Sequence, residues 1–290
     1  MANIIKTTSN IYHLCSAGNR TDLLFHDNQE FANGMNIVAI SAFQSQVEIL
    51  AFCLMDNHFH FILSANEEEQ IIRFSTHITQ LYKRRINSKT QERIRWTYFQ
   101  ITSTDYLKHA IAYTLKNPTN AYYTKLPTRY PWSSGRLYFE DISIREEILY
   151  SYRTLTDLGI VQTRKVLQTR HLLPGSWHIT RGNYIWPGDY IDFQKVENIF
   201  NGSPKEFLFY LSATKKDNLQ EMYDHQKPIS IPDQEMRKHA IELCSENYHH
   251  TTLTDLKLSE RLYLQKQLIL RYGAHRKQTE RILHISNGNQ

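Results

Sequence analysis

The chain has 290 residues, 41% of them hydrophobic and 22% charged, with a formal net charge of +5. These values describe a globular protein able to bury a large core, and they exclude a collagen, a coiled coil and an intrinsically disordered chain. The longest apolar run, residues 49–55, is far short of the about 20 residues that a bilayer-spanning helix needs, and the start of the chain has no apolar core of signal-peptide length, so no membrane partner and a cytoplasmic location are expected.

Residues 11–15 are a short β-prone run that ends at Gly18. Residues 30–46 set Phe31, Met35, Val38 and Ala42 at helical spacing, with Gly34 as a weak point. Residues 47–55 read as a strand. Asp56 and Asn57 tolerate positive φ and suit a tight hairpin turn, and residues 58–63 are the return strand. Residues 67–86 place Ile71, Phe74, Ile78, Leu81 and Tyr82 on one helical face, with Glu67, Glu68 and Glu69 at the positive end of the helix dipole. Residues 96–101 are a further β-prone run. Thr104 is the expected N-cap of a helix from Asp105 towards Asn117, where Pro118 interferes.

The order is therefore β-α-β-β-α-β followed by a helix. This predicts an α+β fold, a ferredoxin-like antiparallel sheet with helices on one face and the other face free for a ligand. Three divisions follow: residues 1–140 as this first domain, 141–234 as an irregular accessory region rich in aromatics, and 235–290 as a helical region. In the accessory region Trp177, Tyr184, Trp186 and Tyr190 indicate packed structure. In the last region a helix over residues 259–272, a break at Gly273 and a short basic helix over 275–283 have the outline of a helix-turn-helix. Cys15, Cys53 and Cys244 cannot all pair and lack close ligand spacing, so they read as buried reduced thiols.

Positive charge is concentrated in two places. Residues 71–96 hold seven basic side chains against one acidic, residues 257–290 hold seven against two, and the rest of the chain is left at −6. Such a distribution points to a polyanion. Lys83, Arg84, Arg85, Arg93 and Arg95 interleave with Tyr82, Trp96 and Tyr98, a mixture that pairs with phosphates and stacks on bases of single-stranded DNA. Arg276, Lys277 and Arg281 of the last helix are positioned to contact a duplex or hairpin stem.

Two histidines carry the chemistry. On the return strand, alternation puts His58 and His60 on one face and Phe59, Phe61 and Leu63 on the other. The pair can converge on a metal ion. Tyr113 and Asn117 stand four apart, on one face of the following helix; the phenol is a nucleophile and the carboxamide an oxygen donor for a hard cation. His109, one turn earlier, is a weaker possibility as a base, and His13 as a group behind the histidine pair.

At these residues the chain resembles a known family. The run from Leu54 to Leu63, with its His58-Phe59-His60, is similar to the HUH motif of the REP-associated tyrosine transposases, within the single-tyrosine HUH transposases. The run from Ala112 to Pro118, with Ala121 and then Trp132, Ser133 and Ser134, resembles that family's catalytic-tyrosine helix and its tail. Tyr12 and His13, with Gly18, Asn19 and Phe25, resemble its opening strand. Ala17, Asp56, Thr119 and Tyr122 depart from the family pattern, and Arg20 is a substitute for the arginine often found at position 17. The resemblance covers residues 8–139.

The resemblance implies a transposase, a metal-dependent nuclease that cleaves and rejoins single-stranded DNA near hairpins through a 5′-phosphotyrosine. Tyr113 is then the nucleophile, and His58, His60 and Asn117 bind a divalent cation, magnesium or manganese. Relatives differ in whether the tyrosine helix serves its own chain or a partner's, which leaves a homodimer open. Two other readings compete: a domesticated, inactive DNA-binding regulator working through the helix-turn-helix, and a metal-binding RNA-processing protein.

Overall fold

In the computed structural model, which describes residues 10–16, 23–86, 94–213, 227–228, 233–250, 252–272, 274 and 276–285, the β-prone runs become four strands of one sheet. They are β1 (Asn10–Ser16), β2 (Glu48–Leu54), β3 (Phe59–Ala65) and β4 (Trp96–Ile101). They lie in the order β2-β3-β1-β4 and are antiparallel throughout, as a ferredoxin-like sheet requires; a two-residue strand, Lys227–Pro228, continues the order beyond β4. Cross-strand register sets Cys15 opposite His60 and His13 opposite both Ile62 and Phe99.

Alternation along β3 sorts the two layers. Phe59 and Phe61 face α1 (Asn28–Ser45) and α2 (Glu68–Arg85): the Phe61 ring meets Phe74 at 5.1 Å and Phe59 meets Phe25 at 5.6 Å. His60 and Ile62 face the other way, towards α3 (Thr104–Asn120), whose Leu107, Ala110, Ile111 and Leu115 share a buried cluster with Ile62 and Phe99. The face expected to be open is therefore largely roofed by α3, because that helix also has an apolar stripe to bury. Its N-cap is Ser103, one residue before the expected Thr104. Pro118 does not stop it: the ring sacrifices only its own N–H two residues from the end, and Ala121 N still donates to Asn117 O at 3.0 Å.

By its internal contacts the chain divides into two compact units, residues 1–88 with 96–227, and residues 89–95 with 228–290. In the first, the aromatic region packs against α1: Leu155, Leu167, Trp177, Ile179 and Ile185 close a core with Ala39 and Ile40. Buried Asn36 staples the two by donating to Asn183 O at 3.0 Å and accepting from Ile185 N at 2.9 Å. The second unit holds three helices, Asp233–Tyr248, Leu258–Tyr272 and Arg276–Leu283, around Met236, Leu243, Leu264, Leu268 and Ile282. Among the described residues no helix is long and apolar enough to cross a membrane.

Candidate active site

The hairpin between β2 and β3 turns at Asp56 and Asn57, where Met55 N donates to His58 O at 2.8 Å. Neither turn residue takes the left-handed conformation that the sequence allows. The turn is tethered from outside: the Tyr123 hydroxyl donates to the Asp56 carboxylate. His58 Nδ1 lies 2.6 Å from Asn57 Oδ1, so its ring is held by its own neighbour with Nε2 directed away.

Helix α3 meets this hairpin. Tyr113 and Asn117 lie one turn apart, both half-buried. Asn117 Nδ2 donates to Tyr113 O at 3.0 Å, which orients the amide and turns its oxygen towards the hairpin; Oδ1 lies 3.4 Å from His58 Nε2. The Tyr113 ring stands edge-on to His60, centroids 5.4 Å apart, and His58 and His60 stand edge-on to each other at 4.9 Å. His58, His60, Tyr113 and Asn117 are thus gathered in one place from elements more than 50 positions apart in sequence. His109 is turned elsewhere, to Asp105 and the Tyr210 ring.

Behind the pair lies His13. It is buried, and its Nε2 is 3.2 Å from His60 Nδ1. The two rings are inclined by only 27° with centroids 5.4 Å apart, and one of the two facing nitrogens donates to the other, which of them depending on the tautomer. Burial holds the His13 imidazole down at about 3, and it lowers His60 and His58 as well, His58 against an opposing contribution from Asn117. All three rings are neutral at neutral pH, the form in which imidazole binds a metal. Cys15 joins them: one ligand atom from each of His13, Cys15 and His60 lies within 4.8 Å of the other two, a histidine-rich buried group of the metal-binding kind. Burial pushes the Cys15 thiol up to about 11, and its Sγ lies 3.2 Å from Thr97 Oγ1. This proximity is invisible in the linear spacing of the cysteines; only the β1–β3 register creates it.

The donors fit a divalent cation. Two neutral imidazoles and an amide oxygen already turned towards one of them form a mixed nitrogen and oxygen set of the kind that can hold a divalent cation.

The basic residues are more scattered. Lys83 and Arg84 are exposed on the last turn of α2, while Arg85 is half-buried and donates to Gln168 O at 2.7 Å. Arg95 is half-buried in the second unit, and Arg93 lies outside the described residues, as do Ala17, Gly18, Asn19 and Arg20. Arg276 pairs with Glu280 at 2.9 Å and Arg281 with Asp233 at 2.6 Å, and the Lys277 side chain lies outside the described residues.

Residues 6–109 match a protein-family model described as "Transposase IS200 like". No curated protein matches the chain. Among solved structures, that of a REP-associated tyrosine transposase bound to a REP hairpin is similar, at 17% identity over 46% of this chain and 82% of that one, with a TM-score of 0.38.

Proposed function

From the IS200-like transposase region at residues 6–109, we propose that this protein is a metal-dependent transposase that cleaves and rejoins single-stranded DNA, its target lying near a hairpin. The observation that carries the reading is the meeting of His58 Nε2 with Asn117 Oδ1, with the Tyr113 ring against His60. Three kinds of group from two separate elements converge, and each has a use on a phosphodiester.

A bound divalent cation would neutralise charge on the non-bridging phosphate oxygens and favour the phenolate. The residues of this chain do the rest. His58, His60 and Asn117 would hold the ion, and Tyr113 Oη attacks phosphorus. An O–P bond forms to the tyrosine as the P–O3′ bond breaks, leaving a 5′-phosphotyrosine and a free 3′-hydroxyl; the phenol proton passes to solvent and the departing 3′ oxygen takes one up. A phenol of ordinary pKa about 10 is also a fair leaving group, so an incoming 3′-hydroxyl reverses the step without ATP. A hydrolase would discard that bond; a tyrosine stores it. The distance between Tyr113 and His60 of the same chain supports a site completed within one chain, whether or not two chains associate.

In the second unit the pair Leu258–Tyr272 and Arg276–Leu283 supports a helix-turn-helix that contacts the hairpin stem. Arg276 and Arg281 enter it with acidic neighbours, so they contribute less to binding than unpaired cations would.

The test is adduct formation. Incubated with a hairpin-bearing single strand and manganese, the protein forms a covalent protein–DNA species that survives denaturing electrophoresis. Tyr113→Phe abolishes the species while hairpin binding persists, and EDTA suppresses it. An adduct from the Tyr113→Phe protein assigns the chemistry to another residue. Binding without any adduct, across metals, identifies a DNA-binding regulator instead.

A further inference from the structure

Arg85 is read from the sequence as a DNA contact, yet it is half-buried and spent on a carbonyl. Its Nη2 donates to Gln168 O at 2.7 Å, and its buried Nε has no hydrogen-bond partner among the described residues. Gln168 ends the helix Ile160–Leu167 in the left-handed conformation, φ 47°, and its backbone carbonyl is the acceptor. The contact ties the last turn of α2 to the accessory region, within the first unit. Beside the tie lies an open groove of about 580 Å³ lined by Arg164, Gln168, Thr169 and Arg170.

The charge in this place is one-sided. Lys83, Arg84, Arg164, Lys165 and Arg170 are exposed. Among the described residues none of them, nor Arg85, has a carboxylate within ion-pair distance. Burial, then the neighbouring Arg84, lowers the Arg85 guanidinium to about 10. Burial, then His171 and Arg73, lowers His77 on the same helix. Cations that press on one another without an acid between them create a standing positive potential, and a partly desolvated guanidinium strengthens it. The fold keeps the cluster together at a cost that an anion would offset.

We propose that this groove is a phosphate-binding surface, outside the active site, that holds the backbone of the single strand. That its ligand is DNA rests on the transposase reading; that it binds phosphodiesters rests on the arginines. The groove is large enough to seat a short stretch of one strand. Arg164 and Arg170 contact phosphates, and Arg85 is the positioning residue that fixes the loop carrying Arg170. The accessory region thereby acquires a role: it extends the basic end of α2 into a track for the strand.

The experiment uses the full chain carrying Tyr113→Phe, so that binding is read without turnover. Fluorescence anisotropy follows oligothymidylates of increasing length at several salt concentrations. Affinity rises with length to a plateau. Arg164→Ala with Arg170→Ala lowers the plateau affinity tenfold or more and reduces the slope of log Kd against log salt by about 1.4, the single-strand value of about 0.7 for each of two lost contacts. Arg164→Lys with Arg170→Lys keeps most of the slope, because charge is retained. Identical length dependence and slope in the alanine variant overturn the proposal, as does competition by tripolyphosphate at the same concentration as the oligonucleotide. Adduct formation by the unaltered chain is scored separately. Its absence, alongside length-dependent binding lost in the alanine variant, refutes the nuclease reading and leaves the groove a strand-binding site.

Discussion

At the scale of single residues the decisive contact is between two neutral imidazoles. His60 binds a cation through Nε2 only if the proton sits on Nδ1, and Nδ1 then needs an acceptor. His13 Nε2, 3.2 Å away, is that acceptor. Among the described residues His13 Nδ1 is buried without a hydrogen-bond partner, so none of them chooses between the tautomers through that atom; a cation at His60 would make the choice. His13→Phe keeps the bulk and removes the acceptor. In the Tyr113→Phe background it should weaken manganese binding by about 10–100-fold, the usual cost of losing a group behind a metal ligand, with the melting temperature little changed. Titration calorimetry reads the affinity. His13→Gln, whose amide oxygen can accept, recovers part of it. Equal affinity in the Phe variant removes His13 from the site, and loss of binding in Cys15→Ser relocates the ion to the His13, Cys15 and His60 group.

At the scale of elements, α1 shows how a residue that looks like a flaw becomes a requirement. Gly34 falls in the middle of that helix, where glycine costs about 1 kcal/mol relative to alanine. A Cβ there would lie 2.7 Å from Phe25 Cε1 and 3.4 Å from Leu54 Cδ1. The Phe25 ring has nowhere to move, since Phe31, Phe59 and Tyr82 surround it at 4.6, 5.6 and 6.0 Å. Gly34→Ala should therefore destabilise the protein in spite of its better helix propensity, by about 1–3 kcal/mol as overpacking does. Urea unfolding measures it, and a gain in stability would show that the ring yields. The residues after α3 also have an element-scale task. Leu54 N donates to Trp132 O at 2.9 Å and Phe52 N to Ser134 Oγ at 3.0 Å, so this tail covers the edge strand β2 and keeps it from pairing with another chain.

These elements also mark what a linear reading can reach. The order of strands and helices and the facing of His58 and His60 were legible, because alternation and helical spacing are local signals. The meeting of Tyr113 and Asn117 with the histidines was foreshadowed only by resemblance, since no local pattern says which face α3 covers. The links of Asn36 to Asn183 and Ile185, of Arg85 to Gln168, and of Cys15 to His60 were not legible. Each depends on register or packing between segments distant in sequence, and each partner alone looks like an ordinary polar or apolar residue.

For the whole molecule, the two units close separate cores, and this governs how the chain unfolds. The sheet and its helices bury Phe52, Phe61 and Phe74, while the three C-terminal helices bury Leu264, Leu268 and Ile282 among themselves. The small unit is further held by Arg281, which donates to both carboxylate oxygens of Asp233, and by Gln278, which donates to the same group; these contacts keep Asp233 below its ordinary carboxylate range. A core of that size gives a modest margin, so it should melt first. Leu264 is fully buried, and Leu264→Ala removes about 2–5 kcal/mol from whichever unit contains it. Scanning calorimetry on the full chain should resolve two transitions, the lower one falling or vanishing in Leu264→Ala. The upper transition and manganese binding at the site proposed at His58 and His60 should hold. A single transition that shifts as a whole would mean that the cores are energetically one, and damage to the helical unit would then reach the active site.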